Sequence, residues 1–278
     1  MKNLTAQFKL LFRNKQFLIT LFIAMLISIL AFCINCLISF GKDEASLIAA
    51  KYMFLGSDFQ FSNMIFYMLS MLFPLLAVFP FADSFLQERK SGACVYALSK
   101  QSSNSYYFSK LSAVFISGFL VIAIPLILNI FLNFIAFPLD SANSATNNSV
   151  VSSHVYVTLI KTIVFKNLFC KSIYLYNWLY VFIEAITAGL MAVVVYQFSF
   201  FYDKSKILLS CSMFACYILG QVILPLFSLD EFDISKYIFA GKFYYGQTAR
   251  GMIVSYALLL AGAILPIPFA RRKLRDLI

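Results

Sequence analysis

Apolar positions in this chain neither recur at the spacing of a soluble amphipathic helix nor alternate as in a half-buried strand. They run together. Uncharged or nearly uncharged runs occupy residues 17–40, 61–82, 111–137, 178–202, 207–227 and 252–270. Each exceeds the roughly 18 residues needed to cross a bilayer as a helix, so the pattern predicts six transmembrane helices in one all-α domain over residues 1–278. The first run has 24 residues without a charge, too long for a signal-peptide core, and is read as the first span. Residues 2–13 follow a different rule. At 100° per residue, Lys2, Lys9 and Arg13 fall on one side and Leu4, Phe8, Leu11 and Phe12 on the other. That is the pattern of a helix lying in the membrane interface, with its basic residues toward anionic headgroups. A short basic orientation signal is the plainer alternative for residues 1–16. A further apolar stretch, 155–169, is broken by Lys161 and Lys166. Two lysines inside a span would cost about 2.5–3.5 kcal/mol each, so this stretch reads as interfacial or re-entrant.

Composition narrows the class. Of 278 residues, 62% are hydrophobic and only 12% charged, too few charges to cover a soluble domain and too many apolar residues for a disordered one. Six helices and modest loops use the length, and no separate ATP-binding domain is expected. The net charge of +10 would suggest nucleic acid in a soluble protein. Here its distribution points to orientation instead. Segments 1–16, 83–110, 203–206 and 271–278 hold 14 Lys+Arg and four acids, whereas 41–60, 138–177 and 228–251 hold eight and seven. The basic set is expected in the cytoplasm, which places both termini there and makes 138–177 and 228–251 outer loops. The protein is expected in a cell membrane, with the bacterial plasma membrane the first choice and no nucleic-acid partner.

Catalytic chemistry is sparse. The six cysteines fall mostly in apolar runs, where Cys acts as a small hydrophobe. There is one histidine, His154, and no G-x-x-x-x-G-K-[ST] phosphate cradle. No enzyme active site, metal site or cofactor is expected in this chain. Glu184 is the one acid deep in a span; a proton, ion or substrate role and a plain packing role near a helix end both stay open. Ala185, Ala188, Gly189 and Ala192 beside it have spacing that permits close helix packing, within the chain or across a dimer. Tyr174, Tyr176, Trp178 and Tyr180 read as an interfacial aromatic belt.

The segment 83–110 mixes charge and apolar positions at helical spacing. Leu86, Val95 and Leu98 are expected to pack back on the membrane, with Glu88, Arg89 and Lys90 facing water or a partner. Gly92 allows a turn, and Ser102-Ser103-Asn104-Ser105 has turn and capping chemistry. Lys110 then opens the third span as a membrane-interface residue.

The run Phe81-Ala82-Asp83-Ser84-Phe85-Leu86-Gln87-Glu88-Arg89-Lys90-Ser91-Gly92, then Leu98, Tyr107 and Lys110, resembles the type-2 ABC exporter permeases. These carry an acidic-basic-Gly segment after the second span and a Lys entering the third. Six spans, an N-terminal interfacial helix and cytoplasmic termini are similar to that family, and segment 228–251 resembles its re-entrant stretch before the last span. Ala93 stands where the family often has Thr. The resemblance implies that Leu86, Glu88, Arg89, Gly92, Val95 and Leu98 form a coupling segment docked on a separate ATP-binding-cassette ATPase, which would carry ATP and Mg. It also implies a second permease subunit, identical or not, and export of an amphipathic substrate such as a peptide, lipid-like molecule or drug. The competing reading is an ATPase-independent secondary transporter or channel using Glu184.

Overall fold

The computed structural model describes residues 2–43, 47–56, 63–140, 163–202, 205–241 and 247–275. Among these the regular secondary structure is helix, with no strand. Helices α1 (Lys2–Arg13) and α2 (Lys15–Ser39) are separated by Asn14, whose side chain caps α2 by accepting from the Gln16 N–H at 2.8 Å. Next come α3 (Asn63–Val78), α4 (Ser84–Lys90), α5 (Ala93–Lys100) and α6 (Ser103–Ala136). After them follow α7 (Lys166–Lys171), α8 (Ile173–Phe198), α9 (Lys206–Leu226), α10 (Ser235–Ile238), α11 (Ala249–Ile264) and α12 (Ile267–Arg275). Ser102, Ser172, Ser205 and Thr248 cap α6, α8, α9 and α11.

Five helical stretches are long and apolar enough to cross a membrane: Lys15–Ser39, Ser103–Ala136, Ile173–Phe198, Ile207–Leu226 and Ala249–Arg275. Over the described part of the run at 61–82, α3 has 16 residues, about 24 Å against a hydrocarbon core of about 30 Å. Pro80 explains the early end, because the residue before a proline is driven out of helical conformation. At the other extreme, α6 has 34 residues and is about 51 Å long. It continues well beyond the predicted run, through residues 103–110. The interfacial reading of 155–169 falls mainly outside the described residues; inside them, α7 occupies Lys166–Lys171.

Helices α6 and α8 form the centre, with α2 and α3 against them, α9 on α3 and α11 on α8. Their crossing is set by glycine. A Cβ on Gly118 would lie 2.7 Å from the Ala188 carbonyl oxygen, and one on Gly189 would meet the Phe115 ring at 2.7 Å. The small-residue stripe of α8 is thus used inside the chain, with Ala185, Ala188 and Ala192 fully buried. Large apolar side chains instead cover the outside: Ile19, Phe22 and Leu30 on α2, Leu219 and Val222 on α9. That inversion suits a lipid solvent.

Residues 47–56 enter the bundle instead of forming an outer loop. Ala49 to Leu55 are buried apart from Lys51, which reaches Asp140 at 2.6 Å. Only Ala50–Tyr52 forms a turn of 3-10 helix, so the rest of this buried backbone must find other partners, and asparagines from three helices provide several of them. Asn35 of α2 donates to the Met53 carbonyl at 3.1 Å, Asn129 of α6 accepts from the Leu55 N–H at 2.9 Å, and Asn177 of α8 donates to the Lys51 carbonyl at 2.9 Å. A second buried segment, Tyr237–Ala240, follows Asp233 and meets the first where the Gly241 N–H donates to the Gly56 carbonyl at 2.6 Å. Tyr176 and Tyr180, expected in an aromatic belt, are buried; Tyr176 donates to the Ala240 carbonyl at 3.2 Å. They share the inward face of α8 because they are four residues apart.

The crossing predicts opposite outcomes for two glycines. Gly118→Ala is expected to lower detergent-solubilised stability by about 1–3 kcal/mol through overpacking. Gly220→Ala, where a Cβ meets nothing within 4 Å, is expected to leave it unchanged or raise it. Thermal melts followed by circular dichroism check the pair.

Candidate functional site

Helices α4 and α5 form a short hairpin joined at Gly92, whose φ of 74° lies in the left-handed region that favours glycine. One face of the hairpin is held by the bundle. Phe85 stacks on Phe200, with centroids 4.0 Å apart, and meets Tyr196 edge-on. Leu86, Cys94 and Leu98 are buried. Burial pushes the Cys94 thiol up from its ordinary value, which suits a packing group. Gln87 donates both to Asp83 at 2.9 Å and to Gln16, at the start of α2, at 3.1 Å.

The strongest attachment is ionic. Lys110 of α6 is completely buried, and its ammonium lies 2.5 Å from a Glu88 carboxylate oxygen. The Tyr106 hydroxyl donates to the same oxygen and accepts from Lys110 at 3.4 Å. Two expectations are corrected here. Glu88 does not face water; its side chain is 22% exposed and faces inward. Lys110, expected at the membrane interface, is buried inside the chain. A lysine about two turns inside α6 meets a carboxylate brought over it by α4, so burying the pair leaves neither charge alone.

A third correction concerns Val95, which is 54% exposed instead of packed. It lies beside Tyr96, 65% exposed, whose ring sits under the Lys100 ammonium at 4.2 Å. Arg89 is half-buried, and Lys90, Gly92 and Lys100 are exposed. The outward face of the hairpin is therefore basic with a small apolar tip. The six coupling candidates divide accordingly. Leu86, Leu98 and Glu88 fix the hairpin to the bundle, whereas Val95, Gly92 and part of Arg89 form its surface.

Other parts of the chain gather at the same end. Arg271 of α12 donates to the Asn104 side chain at 2.7 and 3.0 Å. Helix α1 packs on α6 through buried Leu11 and Gln7, leaving Lys9 and Arg13 exposed on its far side; the Lys2 side chain lies outside the described residues. Deeper in, the Tyr107 hydroxyl donates to Gln197 at 2.8 Å, and Gln197 donates to the Ala263 carbonyl at 3.2 Å, linking α6, α8 and α11.

Glu184 lies near the middle of α8 with no solvent exposure, so the helix-end alternative does not hold. Among the described residues, neither of its carboxyl oxygens has a hydrogen-bond partner. No group of three or more potential metal ligands occurs among those residues either. Comparison with known proteins finds no matching family model, no matching curated protein and no matching solved structure.

The buried pair makes a double-substitution test possible. Lys110→Met alone strands the Glu88 carboxylate and is expected to cost about 3–5 kcal/mol. Lys110→Met with Glu88→Gln is expected to restore most of that loss, read as thermal stability in detergent. A single variant as stable as the parent would mean that the pair holds nothing in place.

Proposed function

We propose that this chain is the transmembrane permease subunit of an ATP-binding-cassette exporter. The observation that carries the proposal is the Glu88–Lys110 ion pair, which fixes an exposed basic hairpin to the longest helix of the bundle. A hairpin held only by loops would swing when pushed. One held by a desolvated ion pair, a stacked Phe85 and two buried leucines passes a displacement to α6. Helix α6 packs against both α2 and α8, so movement at the hairpin reaches the centre of the bundle.

In this reading the hairpin end is cytoplasmic, in line with the excess of Lys and Arg in its segments. Both termini lie on that side, α3 is a short sixth crossing, and α1 lies in the interface. The partner is a soluble ATPase that binds ATP and Mg; two permease subunits and two ATPases make the assembly. ATP-driven closure of the ATPases moves α4–α5 and switches the spans between inward and outward access. The cargo is amphipathic, a peptide, lipid-like molecule or drug, and the site of action is the bacterial plasma membrane.

The outward face supplies the test, because its residues do not support the fold. Val95→Asp combined with Tyr96→Ala is expected to lower substrate-stimulated ATP hydrolysis by the copurified complex about tenfold, equivalent to about 1.4 kcal/mol of lost docking. Membrane level and melting temperature should stay the same. Unchanged stimulation at equal expression would count against the hairpin as the docking surface.

A further inference from the structure

The Glu184 carboxyl has an unusual environment. It borders a cavity of about 10 Å³ whose other walls include Leu55, Leu69, Phe73, Val121 and Leu126, space for about one water. A Cβ on Gly56 would lie 3.4 Å from one carboxyl oxygen, so the tip of segment 47–56 roofs the group. Among the described residues, the titratable groups that interact with it electrostatically are tyrosines: Tyr180 on its own helix, Tyr217 on α9 and Tyr256 on α11. The cavity walls from α2, α3, α6 and segment 47–56 present no charged side chain.

Among the described residues, a carboxylate there would have neither a counter-charge nor a hydrogen bond, which disfavours the charged form. Hard metal cations such as calcium or magnesium do not fit, since they take about six or more oxygen ligands and these walls are apolar. A proton needs no such shell. Ionisation needs water at the carboxylate, and one water's space is too little to solvate it. The roof at Leu55 and Gly56 is not part of any helix; it is held by the bond from the Leu55 N–H to Asn129 and by the bond from the Gly241 N–H to the Gly56 carbonyl.

We propose that Glu184 is an intramembrane proton-binding site, and that release of its proton is linked to withdrawal of segment 47–56 from the bundle. In the release step the carboxyl O–H bond breaks, its electron pair stays on the carboxylate, and the proton passes to an entering water. The seated state holds the neutral acid; the withdrawn state holds the hydrated carboxylate. This goes beyond the exporter reading and does not depend on an ATPase.

The test uses the full chain in liposomes between about pH 6 and pH 9. Infrared spectroscopy is expected to show the carbonyl stretch of a free carboxylic acid at neutral pH, absent in Glu184→Gln. Amide hydrogen exchange in a peptide covering 47–56 is read in parallel, corrected for the intrinsic pH dependence. Because one proton leaves on opening, the opening constant should rise about tenfold per pH unit above the titration midpoint, and Glu184→Gln should abolish that slope. The infrared titration of the parent chain stands alone if the variant fails to fold. A carboxylate spectrum throughout, or the same exchange slope in a folded Glu184→Gln, would overturn the proposal.

Discussion

A bilayer interior offers no water to an unpaired polar group, so each such group must be satisfied by the chain itself. Much of this architecture follows from that requirement. Segment 47–56, which has a single turn of 3-10 helix at Ala50–Tyr52, can enter the bundle because Asn35, Asn129 and Asn177 reach it from three helices. Asn129 also donates to the Ser28 carbonyl at 3.1 Å, while Ser28 donates to the Pro125 carbonyl at 2.6 Å, so α2 and α6 are joined by the same group that holds the segment. Lys51, the one cation in the segment, points back out to Asp140. Among the described residues, Glu184 departs from the rule with both of its carboxyl oxygens, and that is what makes it chemically informative.

The same requirement explains the other end. A lysine placed about two turns inside α6 is tolerable only with a carboxylate over it, and α4 brings Glu88 there. The consequence is mechanical as well as energetic. A seven-residue helix such as α4 has little stability of its own, yet it is fixed by an ion pair, an aromatic stack and the buried side chains of Leu86 and Leu98. Between the two ends, the close approach of α6 and α8 at Gly118 and Ala188 connects the hairpin, the bundle centre and segment 47–56.

The fold class was readable in the chain because runs of about 20 apolar residues have few alternatives. The helix through Glu184 and the amphipathic start with inward Leu11 were readable for the same reason of periodicity. What escaped was tertiary. Glu88 and Lys110 are separated by two short helices and a turn, and nothing in their spacing announces a contact. Segment 47–56 was hidden by Lys51, which makes Leu47–Gly56 look like a loop; the apolar run on either side of it was the available signal. Val95 looked inward by helical spacing extended from α4, but Gly92 turns the chain and resets the phase. Tyr176 and Tyr180 looked like belt residues because aromatic content alone does not say which face of a helix they occupy.

The central claim is that the α4–α5 hairpin receives the work of a separate ATPase. Native mass spectrometry of the assembly, extracted from the membrane in which the chain is made, tests it most directly. The account predicts two copies of this chain, or this chain and a similar one, bound to two subunits that retain ATP. Recovery of the chain without any nucleotide-binding subunit, together with transport by that material in liposomes lacking ATP, would contradict it.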